Sequence, residues 1–200
     1  MRKKIGISFV ILGLLCLLTA VLFVVYNRHE EDQGEVHSQV LLHQVLAGMD
    51  EAEPPETQPS ETVPDTVPQM QTVAAGEDRS IGILSIPVLE LELPVLTDWS
   101  DQKLKKAPCL YYGSCYEPNF VIAAHNYKSH FGRIRRLVPG DLVLFTDVTG
   151  QVYVYEVVLL ETLPAAATEQ MITSGFDLSL YTCTLGGNNR VTVRCSAVRP

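Results

Sequence analysis

The chain has 200 residues, 46% of them hydrophobic and only 19% charged, with a formal net charge of −8. Residues 5–26 carry no charge, residues 27–78 carry twelve acids against Arg28 alone, and residues 79–200 carry eleven acids and eleven bases. That layout excludes a basic nucleic-acid binder, a chain disordered throughout and a multi-spanning membrane protein.

Ile5 to Tyr26 is a 22-residue apolar run. A helix of about 20 residues spans a hydrocarbon core of roughly 30 Å. Arg2, Lys3 and Lys4 precede it, so the positive-inside rule puts residues 1–4 in the cytoplasm and everything after the span outside. The rival is a cleaved signal peptide, whose apolar core is about 7–15 residues and ends at small residues. This run ends Val24-Val25-Tyr26 and is read as a retained anchor.

Residues 27–78 read as an extracellular acidic stalk. Within it, Val36, Val40, Leu41, Val45 and Met49 predict a short amphipathic helix over 36–49, either packed on the folded domain or part of the stalk. The following run, EAEPPETQPSETVPDTVPQMQ, contains five prolines and mutually repelling acids. It is read as a solvated, disordered spacer with no core of its own. A chain starting at residue 79 is therefore expected to fold alone. His29, His37 and His43 have no zinc-like spacing and are read as exposed bystanders.

From residue 79 the pattern is strand-rich. Ile81–Pro87, Leu91–Thr97, Phe120–Ala124, Asp141–Thr146, Gln151–Leu160, Leu178–Thr184 and Arg190–Val198 are predicted strands, several bounded by proline or glycine. Asp101–Ala107 reads as a brief helix capped by Ser100, Ser129–Leu137 as a short helix or turn, and Ala165–Ile172 as one or two helical turns. About eight short strands with little helix predict an antiparallel barrel or sandwich.

The last two strands carry a thiol and two guanidinium groups. With Gly186-Gly187 as the turn, Cys183 faces Arg190; with a Gly186–Asn189 loop it faces Thr192, Arg190 being one diagonal step away. In either register Cys183, Arg190 and Arg194 share a face, because side chains alternate. A nearby positive charge favours thiolate. His125 is a polar residue closing an apolar strand. A Cys, a His and an Arg at strand ends are the parts for thioacyl chemistry: a nucleophile, a proton donor for the leaving amine and an oxyanion donor.

Ser179-Leu180-Tyr181-Thr182-Cys183 resembles the T-L-x-T-C signature of sortases, transpeptidases that join surface proteins to the Gram-positive cell envelope. Arg190 opens a last strand similar to the family's, and Ala123-Ala124-His125-Asn126 resembles its histidine motif. Residues 131–141 (FGRIRRLVPGD) resemble the stretch that follows that motif, and Ile81–Pro87 the opening strand. The resemblance covers roughly residues 80–199. It implies a mainly β, eight-stranded barrel with a few short helices, preceded by the membrane anchor and stalk. It further implies Cys183 as nucleophile, His125 as general acid and base, and Arg190 as oxyanion or substrate stabiliser. Arg194 and His130 are the second candidates for the last two roles. The implied partners are the sorting-signal peptide of a secreted protein, an amine acceptor on a cell-wall precursor or a pilin lysine, and the lipid bilayer through residues 5–26. No cofactor and no metal are expected.

Ser179 stands where threonine is usual and Leu185 where many members have proline. The His-Asn-Tyr run leans toward class B, while the short segment between Leu160 and Asp177 departs from it, so the subclass stays open. Cys109 and Cys115 are either bridged or free, free being favoured. Two other functions remain in view: a Cys–His cell-wall peptidase, disfavoured by residue order, and a non-catalytic stalked binding module, which has no need for Cys183, His125 and Arg190 to converge.

Overall fold

A computed structural model describes residues 2–51 and 69–199, with the side chains of residues 2–9 and 51 left out. The proline-rich run over 52–68, read above as an extended spacer, lies outside the described residues. The chain divides into two compact units, Met1–Gln33 and Gly34–Pro200.

One helix, α1 (Arg2–Glu51), takes up the whole N-terminal region, where the sequence predicts a span and a separate short helix. The reason is an absence of strong breakers: no proline occurs before Pro54, and Gly6, Gly13, Gly34 and Gly48 are isolated single glycines among residues that tolerate a helix. Across the join, the Tyr26 hydroxyl donates to Glu30 Oε1 at 3.3 Å, one turn on. In the first unit the apolar side chains from Val10 to Tyr26 all point outward, Leu17 and Phe23 at 65% exposure. Apolar surface all round a helix is what a lipid environment accepts. Among the described residues this is the one helix long and apolar enough to cross a membrane.

In the second unit α1 packs on the domain. Its buried positions are Gly34, Ser38, Leu41, Leu42 and Val45, a helical stripe. Val36 and Val40, expected on that face, are 61% and 51% exposed. Leu41, Leu42 and Val45 form a core cluster with Ala75, Ile83, Leu96, Ala107 and Cys109. The folded unit therefore starts at Gly34, ahead of the boundary expected at residue 79. The segment 27–78 is not all stalk, because this stripe and strand β1 (Val73–Ala75) supply core.

The remaining strands are β2 (Asp78–Ile86), β3 (Leu91–Leu96), β4 (Cys109–Tyr112), β5 (Phe120–Ala123), β6 (Leu142–Asp147), β7 (Val152–Pro164), β8 (Leu178–Cys183) and β9 (Asn189–Ala197). They run β2-β3-β4-β5-β8-β9-β7-β6, and β6 pairs back onto β2. Eight strands thus close into a barrel, with β1 as an added hairpin arm on β2. Closure removes the open edges that a flat sheet would expose. Gly82, at φ +151°, sits where β2 turns between its two neighbours, and a Cβ there would strike the Thr146 carbonyl. Ile81, Leu84, Phe120, Ile122, Phe145, Leu180 and Val193 fill the interior, with Phe120 and Phe145 edge to face at 5.1 Å.

Two short helices sit outside the barrel: α2 (Asp101–Leu104), capped by Ser100 Oγ accepting from Lys103 N at 3.2 Å, and α3 (Thr168–Ile172). The 129–137 stretch holds a 3-10 turn at Ile134–Arg136. Neither β1 nor β4 was expected from the sequence.

The packed stripe sets a test. Each buried aliphatic side chain is worth roughly 1.5–3 kcal/mol. A chain starting at Gly34 should fold with full domain stability, and one starting at Arg79 should lose several kcal/mol. Equal urea midpoints for the two would refute the packing of α1.

Candidate active site

Two strand ends make the centre of the site. β5 and β8 pair in parallel, Ala123 opposite Tyr181. Beyond that pair the contact continues: Ala124 N donates to Tyr181 O at 3.1 Å, and Thr182 Oγ1 donates to Ala124 O at 2.8 Å. Parallel neighbours deliver their C-terminal ends to the same edge, so His125 and Cys183, the next residues, emerge side by side. β9 then returns antiparallel with Cys183 opposite Arg190. The first of the two hairpin registers is the one present. Its turn is closed by Thr184 N donating to Asn189 O at 3.0 Å and Gly187 N donating to Thr184 O at 2.8 Å. Gly187 takes φ +70°, which suits glycine.

His125, Cys183 and Arg190 all line one groove of about 410 Å³. One wall is an aromatic row: Trp99 lies 5.7 Å from Tyr111, which meets Tyr181 edge-on at 5.2 Å. Met171, Ala167 and Pro164 form apolar lining. A second concavity of about 330 Å³, bounded by Phe131, Arg135 and Leu185, also reaches Cys183. Leu185 is 92% exposed beside it. The Arg190 Nη1 donates to Gly187 O at 2.9 Å and Asn189 O at 3.2 Å, so the turn carbonyls hold the guanidinium at the groove edge.

The environment separates like groups. Cys183 is exposed, whereas Cys109, Cys115 and Cys195 are buried and unbridged. Burial pushes those three thiols up to about 12, 11 and 12. His125 lies at the groove, stacked on Tyr127 with centroids 4.1 Å apart and planes 17° apart. His130 is fully buried, and burial pulls it from 6.5 down to about 4.

Arg194 is on the Arg190 face of β9 but does not reach the groove. It is 2% exposed and fully engaged: Nε to Glu161 Oε1 at 2.7 Å, Nη1 to Ser179 Oγ at 2.8 Å and Met171 O at 3.3 Å, and Nη2 to Gln170 O at 2.8 Å. It ties α3 to β7 and β8. Sequence reasoning missed this network and also the Trp99–Tyr111–Tyr181 row. Ser179, the serine noted in the signature, was the one visible signal for the first of these. Among the described residues no cluster of three or more His, Cys, Asp or Glu is placed to hold a metal ion.

The sequence model of the sortase domain family matches residues 84–198, more than half the chain. The fold is similar to sortase A from Corynebacterium diphtheriae, at TM-score 0.55 and 20% identity, covering 62% of this chain and 62% of that one. It is similar to a sortase D5 transpeptidase of Clostridium perfringens, at TM-score 0.53 and 20% identity, covering 60% and 79%. It is also similar to sortase C1 from Streptococcus agalactiae, at TM-score 0.52 and 24% identity, covering 60% and 68%. No curated protein matches the sequence. The chain belongs to the sortase family.

Two predictions follow from the environments. Removing one partner of a buried ion pair costs about 3–5 kcal/mol. Glu161 keeps some solvent contact, so Arg194→Ala should destabilise the fold at the low end of that range; an unchanged urea midpoint would refute the network. For His130, the unfolded chain takes up a proton near 6.5 and the folded chain only near 4. Stability should therefore fall as pH drops from about 6.5 toward 4, because the unfolded state binds more protons there. His130→Phe should flatten that part of the Tm–pH curve, and an unchanged slope would refute the assignment.

Proposed function

We propose that this chain is a membrane-anchored cysteine transpeptidase of the sortase type, with Cys183 as nucleophile, His125 as general acid and base, and Arg190 as oxyanion donor. The observation that carries this reading is the convergence of three strand ends on one groove, with the one exposed thiol of the described domain at its centre.

The thiolate of Cys183 attacks the scissile carbonyl carbon of a sorting-signal peptide, and the carbonyl electron pair moves onto oxygen. Arg190 donates hydrogen bonds to that oxyanion. The pair returns, the C–N bond breaks and the His125 imidazolium protonates the departing amine. A thioacyl-enzyme remains. The neutral imidazole then takes a proton from an incoming amine as it attacks the thioester, and the Cys183 thiolate leaves. Two concavities meeting at Cys183 suit a reaction in which donor and acceptor reach one carbon from different sides.

The donor is the sorting signal of a secreted surface protein, and the acceptor is an amine of a cell-wall precursor or a pilin lysine. The apolar half of α1 crosses the cell membrane with the N-terminus in the cytoplasm and the barrel outside.

Incubation with a panel of sorting-signal peptides should give a thioacyl adduct on Cys183 by mass spectrometry, and Cys183→Ala should give none. An oxyanion donor is worth about 2.7–4 kcal/mol. Arg190→Ala should thus slow turnover at least about a hundredfold. Arg190→Lys should rescue only partly, since an ammonium lacks the planar fork. Turnover by folded Cys183→Ala would sink the proposal.

A further inference from the structure

His125 stands beyond the end of β5, where no ladder holds it. Its backbone is pinned by Phe131 N donating to His125 O at 3.2 Å. Its ring lies flat on Tyr127, a nearly parallel stack at 4.1 Å. Tyr127 is itself 8% exposed and tightly wrapped, its carbonyl accepting from His130 N at 3.0 Å and Gly132 N at 2.8 Å. The wrap is close enough that a Cβ on Gly132 would lie 2.7 Å from that carbonyl oxygen.

Behind the Tyr127 ring is α1. A Cβ on Gly34 would lie 2.7 Å from Tyr127 Cδ2, 2.9 Å from Cε2 and 3.0 Å from the Lys105 carbonyl. Glycine is a poor helix former, and nothing in a regular helix interior requires it. Close approach to Tyr127 and Lys105 does require it, since real Cβ contacts do not come so near. Lys105 in turn lines the groove. His130 flanks the Tyr127 ring at 5.4 Å, is fully buried and is kept neutral by that burial, so it adds no positive charge beside His125.

We infer that α1 is part of the catalytic apparatus: Gly34 seats the Tyr127 ring, and Tyr127, flanked by His130, sets the plane of the His125 imidazole. Gly34, Tyr127 and His130 are positioning residues, and the inference rests on the reading of His125 as the acid–base group. Two consequences follow. The stack fixes the ring rotation that aims a nitrogen at the leaving amine, and small displacements of a catalytic group lower rate steeply. A cation over a tyrosine face is stabilised by the ring quadrupole, so the stack favours the imidazolium that must donate the proton.

The test uses the full chain in detergent micelles, with a sorting-signal peptide that forms the thioacyl adduct. Steady-state kinetics are measured across pH, and His125 is followed by its Cε1–H NMR signal, which the Tyr127 ring current moves upfield. Gly34→Leu and Tyr127→Leu should each lower kcat at least about tenfold with KM little changed. They should also move the imidazolium limb of the pH profile to lower pH and abolish the upfield shift. Tyr127→Phe keeps the stack and should restore the profile. Wild-type kcat, pH profile and NMR shift in folded Tyr127→Leu would overturn the inference while leaving His125 in its role. Full activity in His125→Ala would overturn the catalytic reading itself, and the positioning role with it. Should Tyr127→Leu fail to fold by circular dichroism, Gly34→Ala decides: an unmoved ring-current shift and kcat would overturn the coupling.

Discussion

The site depends on one pairing, the parallel contact of β5 with β8. In an otherwise mostly antiparallel barrel, neighbouring chain ends usually point to opposite edges. Here the two apolar strands FVIA and LSLYTC run together, and both reach the same rim. Thr182 extends the contact past the last ladder bond by donating to the Ala124 carbonyl at 2.8 Å. That hydroxyl is buried, so losing it would leave a carbonyl without its partner at the base of both functional residues. The threonine before the cysteine thus has a mechanical reason: it fixes the separation of the two strand ends that hold His125 and Cys183.

The barrel supplies rigidity, and the groove is built from what lies outside it. α2, α3 and the ends of β4 and β7 contribute Leu104, Met171, Tyr111 and Pro164 to its lining. α3 has only five residues and no side-chain cap, too short to stand by itself. Its last-turn carbonyls accept instead from the Arg194 guanidinium, anchored by Glu161 and Ser179. A buried cation serves here because its planar fork reaches three chain segments at once, which no aliphatic side chain does.

Much of this was legible before any coordinates. The apolar run ending in His125, the Thr-Cys strand end and the glycine-rich turn before Arg190 marked the strand ends and the face shared by Cys183 and Arg190, while the hairpin register and the parallel pairing of β5 with β8 came only with the fold. The extent of the folded unit was not legible, because the packed face of α1 includes Gly34 and Ser38, which periodicity rules count as polar or breaking. Leu41, Val45 and Met49 of the expected stripe do face the domain, while Val36 and Val40 point away from it. β4 escaped notice because CLYY is short, with Tyr111 turned to the groove and Tyr112 exposed. Arg194 stood as the second candidate for the oxyanion role, since its partners, Glu161 and the carbonyls of Gln170 and Met171, come from distant sequence.

Motif position singled out Cys183 among the thiols and His125 over His130, but the physical reason for the distinction was the least accessible in sequence, because it is a property of environment. Cys109 and Cys195 sit in barrel strands with their side chains fully enclosed, and His130 is fully buried within the loop where its N donates to the Tyr127 carbonyl. In each case the buried copy is held neutral by desolvation, and the copy at the rim meets solvent. The fold therefore needs no special device to choose its reactive pair. Two strand ends carry one thiol and one imidazole to an open edge, while the barrel strands withdraw two other thiols of the domain, and loop packing Cys115 and the second imidazole, from reach.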